Sequence, residues 1–148
     1  MEIRTVYTIG FTKHSAEAFF QAIKDAGIQR LLDVRLRNRS QLAGFAKQED
    51  LKYFLSVICG AQYAHEPLLS PTPELLDARR QRSITWEEYE KRFLELMAVR
   101  KIETALSPSF FDVATVLLCS EHSPKQCHRR LVLDYLQTAW GGLRIAHL

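Results

Sequence analysis

Five short apolar runs alternate with stretches of helical periodicity along this chain. β-Branched and aromatic residues at 5–9 end at Gly10, the pattern of a strand that enters a turn. Ser15 is placed to cap a helix whose apolar positions Ala16, Phe19, Phe20, Ile23 and Ala26 recur at helical spacing, with Gly27 as its stop. Residues 28–34 give a second strand, apolar except for Gln29, Arg30 and Asp33. A basic loop follows, then a helix with Leu51, Phe54, Leu55 and Ile58 on one side. Residues 61–65 form a short third strand. Thr72-Pro73 opens a brief helix to about Gln81. Thr85-Trp86-Glu87-Glu88 is a capping box that opens a longer helix, with Trp86, Tyr89, Phe93, Leu96 and Met97 turned inward. Residues 113–119 and 143–148 supply the fourth and fifth strands.

Strands that alternate with helices, each connection long enough for a crossover, predict an α/β chain. The expected fold is a single three-layer αβα domain over residues 1–148, with a mostly parallel sheet of about five strands. One section, 64–84, is rich in Pro and Arg and is expected as a flexible flap.

A chain of 148 residues is long enough to bury a core, and 47% hydrophobic with 25% charged residues is ordinary for a globular protein. No run reaches the length of an apolar membrane span, and the first residues enter a strand without a signal-peptide pattern. Three Cys and no secretory cue favour reduced thiols in a cytoplasm over disulfides. A formal charge of +3 accommodates an anionic partner without demanding one.

The chemistry concentrates in 119–130. Cys119, Glu121, His122, Cys127, His128, Arg129 and Arg130 place two thiols, two imidazoles, a carboxylate and two guanidinium groups within twelve residues of a chain with three Cys and five His in all. They follow an apolar strand and lead into a helix, and in open α/β sheets ligands bind just beyond the carboxyl ends of strands. Ser123, Pro124 and Gln126 have the spacing of a helix start, which would put Cys127 and His128 in the first turn, where the helix dipole favours a thiolate or anion. The apolar stripe of Leu131, Val132, Tyr135, Leu136 and Ala139 extends back to both residues. Singly, Cys127 reads as a small buried hydrophobe and His128 as a core imidazole; together with Cys119 and Glu121 they read as a site. Arg130 stands four residues before Asp134, at ion-pair spacing.

If the sheet is parallel, other unusual residues collect on the same edge. Arg35, Arg37, Asn38, Arg39 and Ser40 follow the second strand and suit phosphate oxygens, guanidinium forks binding them in pairs. Asp33 ends an apolar strand and needs a partner, which Arg35 offers from the same face. His65 follows the third strand; His14 follows the first.

Several motifs are absent: a Gly-rich dinucleotide or phosphate loop, a Cys-x5-Arg cradle, a Gly-x-Ser-x-Gly elbow and any Cys-x-x-Cys pair. The leading expectation is an enzyme for a phosphate-bearing substrate, a nucleotide or a nucleic-acid end. Cys127, His128, Glu121 and Cys119 would carry the chemistry; Arg35, Arg39, Arg129, Asp33 and His65 would hold the anion. The expected partner is therefore a nucleotide or nucleic acid, with no membrane. Three alternatives stand beside it: a binding module without turnover, a metal site built from Cys119, Cys127 and one or two of His65, His122 and His128, and a purely structural network. The ligand spacing is not diagnostic, so no metal ligands are assigned, and no cofactor is indicated.

The chain resembles the domain of unknown function 488 family over nearly its full length. The matching marks are Thr8-Ile9-Gly10, Asp33-Val34-Arg35, Phe45, Tyr63-x-His65-x-Pro67-Leu68, Trp86-x-x-Tyr89 and Leu118-Cys119-x-Glu121-x5-Cys127-His128-Arg129. The resemblance implies a compact three-layer α/β domain, with Cys119, Glu121, Cys127, His128 and Arg129 as the pattern's polar positions, and it implies no activity. One departure stands out. The family pattern has His after this glycine, whereas here Phe11 follows Gly10 and the nearest imidazole is His14.

Overall fold

In the computed structural model, which describes residues 2–12, 14–37, 44–119 and 127–148, all five apolar runs are strands of one sheet. They are β1 (Arg4–Gly10), β2 (Arg30–Asp33), β3 (Gln62–His65), β4 (Thr115–Cys119) and β5 (Leu143–His147), in the order β3-β2-β4-β1-β5. Every pairing is parallel. Gly10 lies opposite Cys119, and Asp33 lies opposite both Leu118 and His65, so the carboxyl ends of β1 to β4 share one edge.

Among the described residues six helices cover the sheet: α1 (Ala16–Asp25), α2 (Gln48–Phe54), α3 (Pro73–Arg80), α4 (Trp86–Arg100), α5 (Ile102–Ala105) and α6 (His128–Trp140). Phe19, Phe20 and Ile23 of α1 and Leu51 of α2 pack with Leu31, Val116 and Leu118. Leu75, Phe93, Met97, Ile102 and Leu131, from α3 to α6, pack with Leu32, Leu117 and Cys119. Alternate residues of a strand point to opposite faces, so these are two cores on two sides of one sheet. Connections that run toward the β3 edge carry α1 and α2, and those that run back toward β5 carry α3 to α6. Right-handed crossovers require that segregation.

Local chemistry explains most boundaries. The Ser15, Thr72 and Thr85 hydroxyls accept the Ala18, Leu75 and Glu88 amides at 3.1, 3.2 and 3.1 Å, each capping its helix. Gly27 and Gly60, both at positive φ, end the first two helical segments, the second of which finishes in a π-helical turn, Leu55–Cys59.

Two expectations are corrected. The section 64–84 is docked, not a free flap: Leu69 and Leu75 enter the core, and Arg100 Nη1 donates to the carbonyls of Leu68 at 2.7 Å and Ser70 at 2.6 Å. The last helix begins at His128, and Cys127 is its N-cap, with extended backbone at φ −135° and ψ 139°. Cys127 is held there by its contact with Cys119, and the next residue is anchored to β2; the Ser123–Gln126 spacing lies outside the described residues. Among the described residues no helix is long and apolar enough to cross a membrane.

Candidate functional site

The end of β2 is built on a buried ion pair. Asp33 is fully buried and Arg35 nearly so. Asp33 Oδ1 accepts from Arg35 Nε at 2.9 Å and from the Arg35 amide at 3.1 Å, while Oδ2 accepts from Arg35 Nη2 at 2.9 Å and from the Tyr63 hydroxyl at 2.6 Å. Charges removed from water are tolerable only when so completely hydrogen-bonded. The Arg35 guanidinium also lies 5.3 Å from the centre of the Phe11 ring, and His65 Nε2 donates to the Arg35 carbonyl at 2.9 Å. The pairing of Asp33 with Arg35, legible from their spacing, is therefore present.

The end of β4 meets the start of α6. Cys119 and Cys127 are both fully buried and form a disulfide, with Cα atoms 7.4 Å apart. The sequence favoured reduced thiols; the fold instead brings the two sulfurs together, because β4 stops where α6 begins. Arg129, only 1% exposed, turns its Nη1 to both sulfurs, at 3.0 Å from Cys119 Sγ and 3.6 Å from Cys127 Sγ. His128 Nε2 stands 2.7 Å from the Val34 carbonyl. A carbonyl can only accept, so Nε2 carries the proton that it donates. The third cysteine, Cys59, lies apart on the α2 side, half-buried, with its thiol pKa pushed up by burial.

The bond from His128 to Val34 ties these two constellations together. β2 and β4 are neighbours, yet the chain leaves β2 toward β3 and leaves β4 toward β5, at opposite edges of the sheet. In open α/β sheets the carboxyl ends of two strands that diverge in this way are the usual ligand position.

The remaining sequence candidates separate. Arg37 pairs on the surface with Asp77 at 2.9 Å, which holds that carboxyl below its ordinary pKa. Arg130 forms the expected ion pair with Asp134 at 2.9 Å. His14 sits against the Phe19 ring. Asn38, Arg39, Ser40, Glu121 and His122 lie outside the described residues.

Three contributors were not legible as such. Tyr63 opposes Leu31 and reaches Asp33 as the diagonal cross-strand neighbour, a relation visible only once the register is known. Phe11 lies against the Arg35 guanidinium. Thr8, buried in β1, is hydrogen-bonded to His147 Nδ1 on β5. In sequence Thr8 reads only as a β-former. A groove of about 610 Å3, between α1 and α2, is lined by Phe20, Phe45, Phe54 and Ile58 together with Glu17, Lys24 and Asp50.

The family model described as domain of unknown function DUF488 matches residues 15–136, and the chain belongs to that family. No curated protein and no solved structure matches it.

Proposed function

We propose that this protein is an enzyme that acts on a phosphate-bearing substrate, a nucleotide or a nucleic-acid end, at the carboxyl ends of β2 and β4. The observation that carries the reading is the 2.7 Å bond from His128 to Val34, which sets the cysteine–histidine–arginine cluster beside an oriented guanidinium. Of the five N–H donors on Arg35, Asp33 engages two, so the fork is held rigid with its Nη1 side uncommitted to that carboxylate. A guanidinium fixed in this way binds phosphate oxygens at less entropic cost than a mobile one. Arg39 and Arg129 add positive charge on the sequence's account; Glu121, His128 and, once their disulfide is reduced, Cys119 and Cys127 supply the reactive groups.

The test is thermal unfolding of the full chain with inorganic phosphate, a nucleoside monophosphate, and short oligonucleotides with or without a terminal phosphate, followed by chromatography of each for product. A phosphorylated ligand at about 100 times its Kd should stabilise the fold by about 2.7 kcal/mol. The shift should shrink at high salt and in Arg35→Lys, which keeps the charge but loses the fork. Binding without product would support the non-catalytic module instead. No shift from any phosphorylated ligand would overturn the reading.

A further inference from the structure

We infer that Cys119, Cys127 and His128 form a metal site for a soft divalent cation, zinc(II) above all, when the two cysteines are reduced. This deepens the proposed function by assigning chemistry to its cluster. It is tested by metal binding without substrate, so the two readings fail separately.

The donor set is the first argument. One ligand atom from each of the three residues lies within 4.8 Å of the other two, and all three residues are buried. Tetrahedral zinc, with bonds of about 2.3 Å to sulfur and about 2.0 Å to nitrogen, sets its ligand atoms roughly 3.5–3.8 Å apart. Once the disulfide is reduced, the Cα separation of 7.4 Å leaves room for two thiolates to share one ion.

The histidine is the second argument. A metal-binding imidazole is characteristically fixed by its other ring nitrogen, which donates to a carboxylate or backbone carbonyl. His128 has the anchoring half of that arrangement, with Nε2 donating to Val34. The Phe93 ring, 5.6 Å away, packs against the imidazole.

Arg129 is the third. Its Nη1 donates to both sulfurs, which stabilises them as thiolates and spreads their charge. Two thiolates, one guanidinium and one divalent ion leave a single positive charge, so a fourth ligand would be favoured as an anion. Two Cys and one His with a fourth position for solvent or substrate is a ligand set of catalytic zinc. Soft sulfur with imidazole selects zinc over magnesium or calcium.

The balance is simple. Binding removes one proton from each thiol to solvent, forms two metal–sulfur bonds and one metal–nitrogen bond, and releases water from the hydrated ion. The disulfide cannot bind until a phosphine reductant supplies two electrons and the solvent two protons.

The experiment uses the full chain, reduced with a phosphine, desalted without oxygen, and titrated with cobalt(II) alone. One equivalent should produce thiolate-to-cobalt charge transfer and tetrahedral ligand-field bands, both erased by zinc(II). Cys119→Ser and Cys127→Ser should each lower affinity at least about 100-fold and weaken the charge-transfer band, while Cys59→Ser changes neither. To keep the test independent of how either site variant folds, alkylation of the unaltered chain is mapped in parallel. Zinc should protect Cys119 and Cys127 but not Cys59. A folded, reduced chain without the charge-transfer band, a band that persists in both folded site variants, or unchanged alkylation with zinc would each overturn the assignment.

Discussion

Asp33 and Arg35 face each other across a single residue and close a buried two-point ion pair, both bonds 2.9 Å long. Neither partner is independent of the other. Arg35→Ala takes the guanidinium from a fully buried carboxylate that the Tyr63 hydroxyl and the residue 35 amide also reach. A broken buried pair costs about 3–5 kcal/mol, and Arg35→Ala should lower the urea unfolding free energy by that amount. Tyr63→Phe removes one bond to a charged group and should cost about 1.5–3 kcal/mol. A loss under about 1 kcal/mol for Arg35→Ala would show that water replaces the guanidinium.

That pair also marks how far the sequence could be read. Period-two spacing put Asp33 and Arg35 on one face, and apolar runs located all five strands to within a few residues. Capping residues found the starts of α1, α3 and α4. Strand order stayed hidden, because it depends on long-range packing between runs that all look equally apolar. For the same reason Tyr63 and His147 were not connected with Asp33 and Thr8. The start of α6 was misplaced: a Ser-Pro-x-Gln spacing is a local signal, whereas the backbone at Cys127 answers to tertiary contacts with β4 and β2. The disulfide was missed because cellular redox context was the sole guide.

Lys101 ends α4 in the left-handed region, at φ 52° and ψ 50°. A side chain with a β-carbon costs about 1–2 kcal/mol in that conformation, whereas glycine adopts it freely. Lys101 is exposed, so little packing is lost with it. Lys101→Gly should therefore raise stability by about 1 kcal/mol. Paired urea curves measure it, and a decrease would mean that greater freedom of glycine in the unfolded chain outweighs the relief.

His147 has its pKa lowered from 6.5, first by desolvation and then by the charge of Arg129, with Arg130 adding and Asp134 opposing. Thr8 faces it from β1, and the three charged groups face it from α6. The folded ring thus takes up its proton at lower pH than the unfolded one. Between the two values the unfolded chain binds more protons, so stability falls as pH is lowered through this window and is fully present above it. Thermal midpoints recorded from about pH 5 to 8 should decline on the acid side in the parent protein and less steeply in His147→Gln. Equal slopes would assign the decline to other groups.

Arg129 offers the sharpest test of what the cluster is for. It is 1% exposed, the largest of the fully buried side chains, and reaches both cysteine sulfurs through Nη1. A guanidinium enclosed to this degree is part of the core as well as of the cluster. Arg129→Ala should then leave a cavity and take away the sulfurs' charged donor, costing about 3–5 kcal/mol. Arg129→Lys keeps the charge, yet a compact ammonium on a different stem does not reproduce the fork, so it should recover only part of the loss. Urea unfolding of the reduced chain with a chelator isolates this contribution from any metal. If Arg129→Ala costs under about 1 kcal/mol, the guanidinium is dispensable to the fold and its burial serves a ligand. If the cost is several kcal/mol and cobalt(II) binding to the folded fraction also weakens, Arg129 serves both, as a group that positions the thiolates while it supports the turn from β4 to α6.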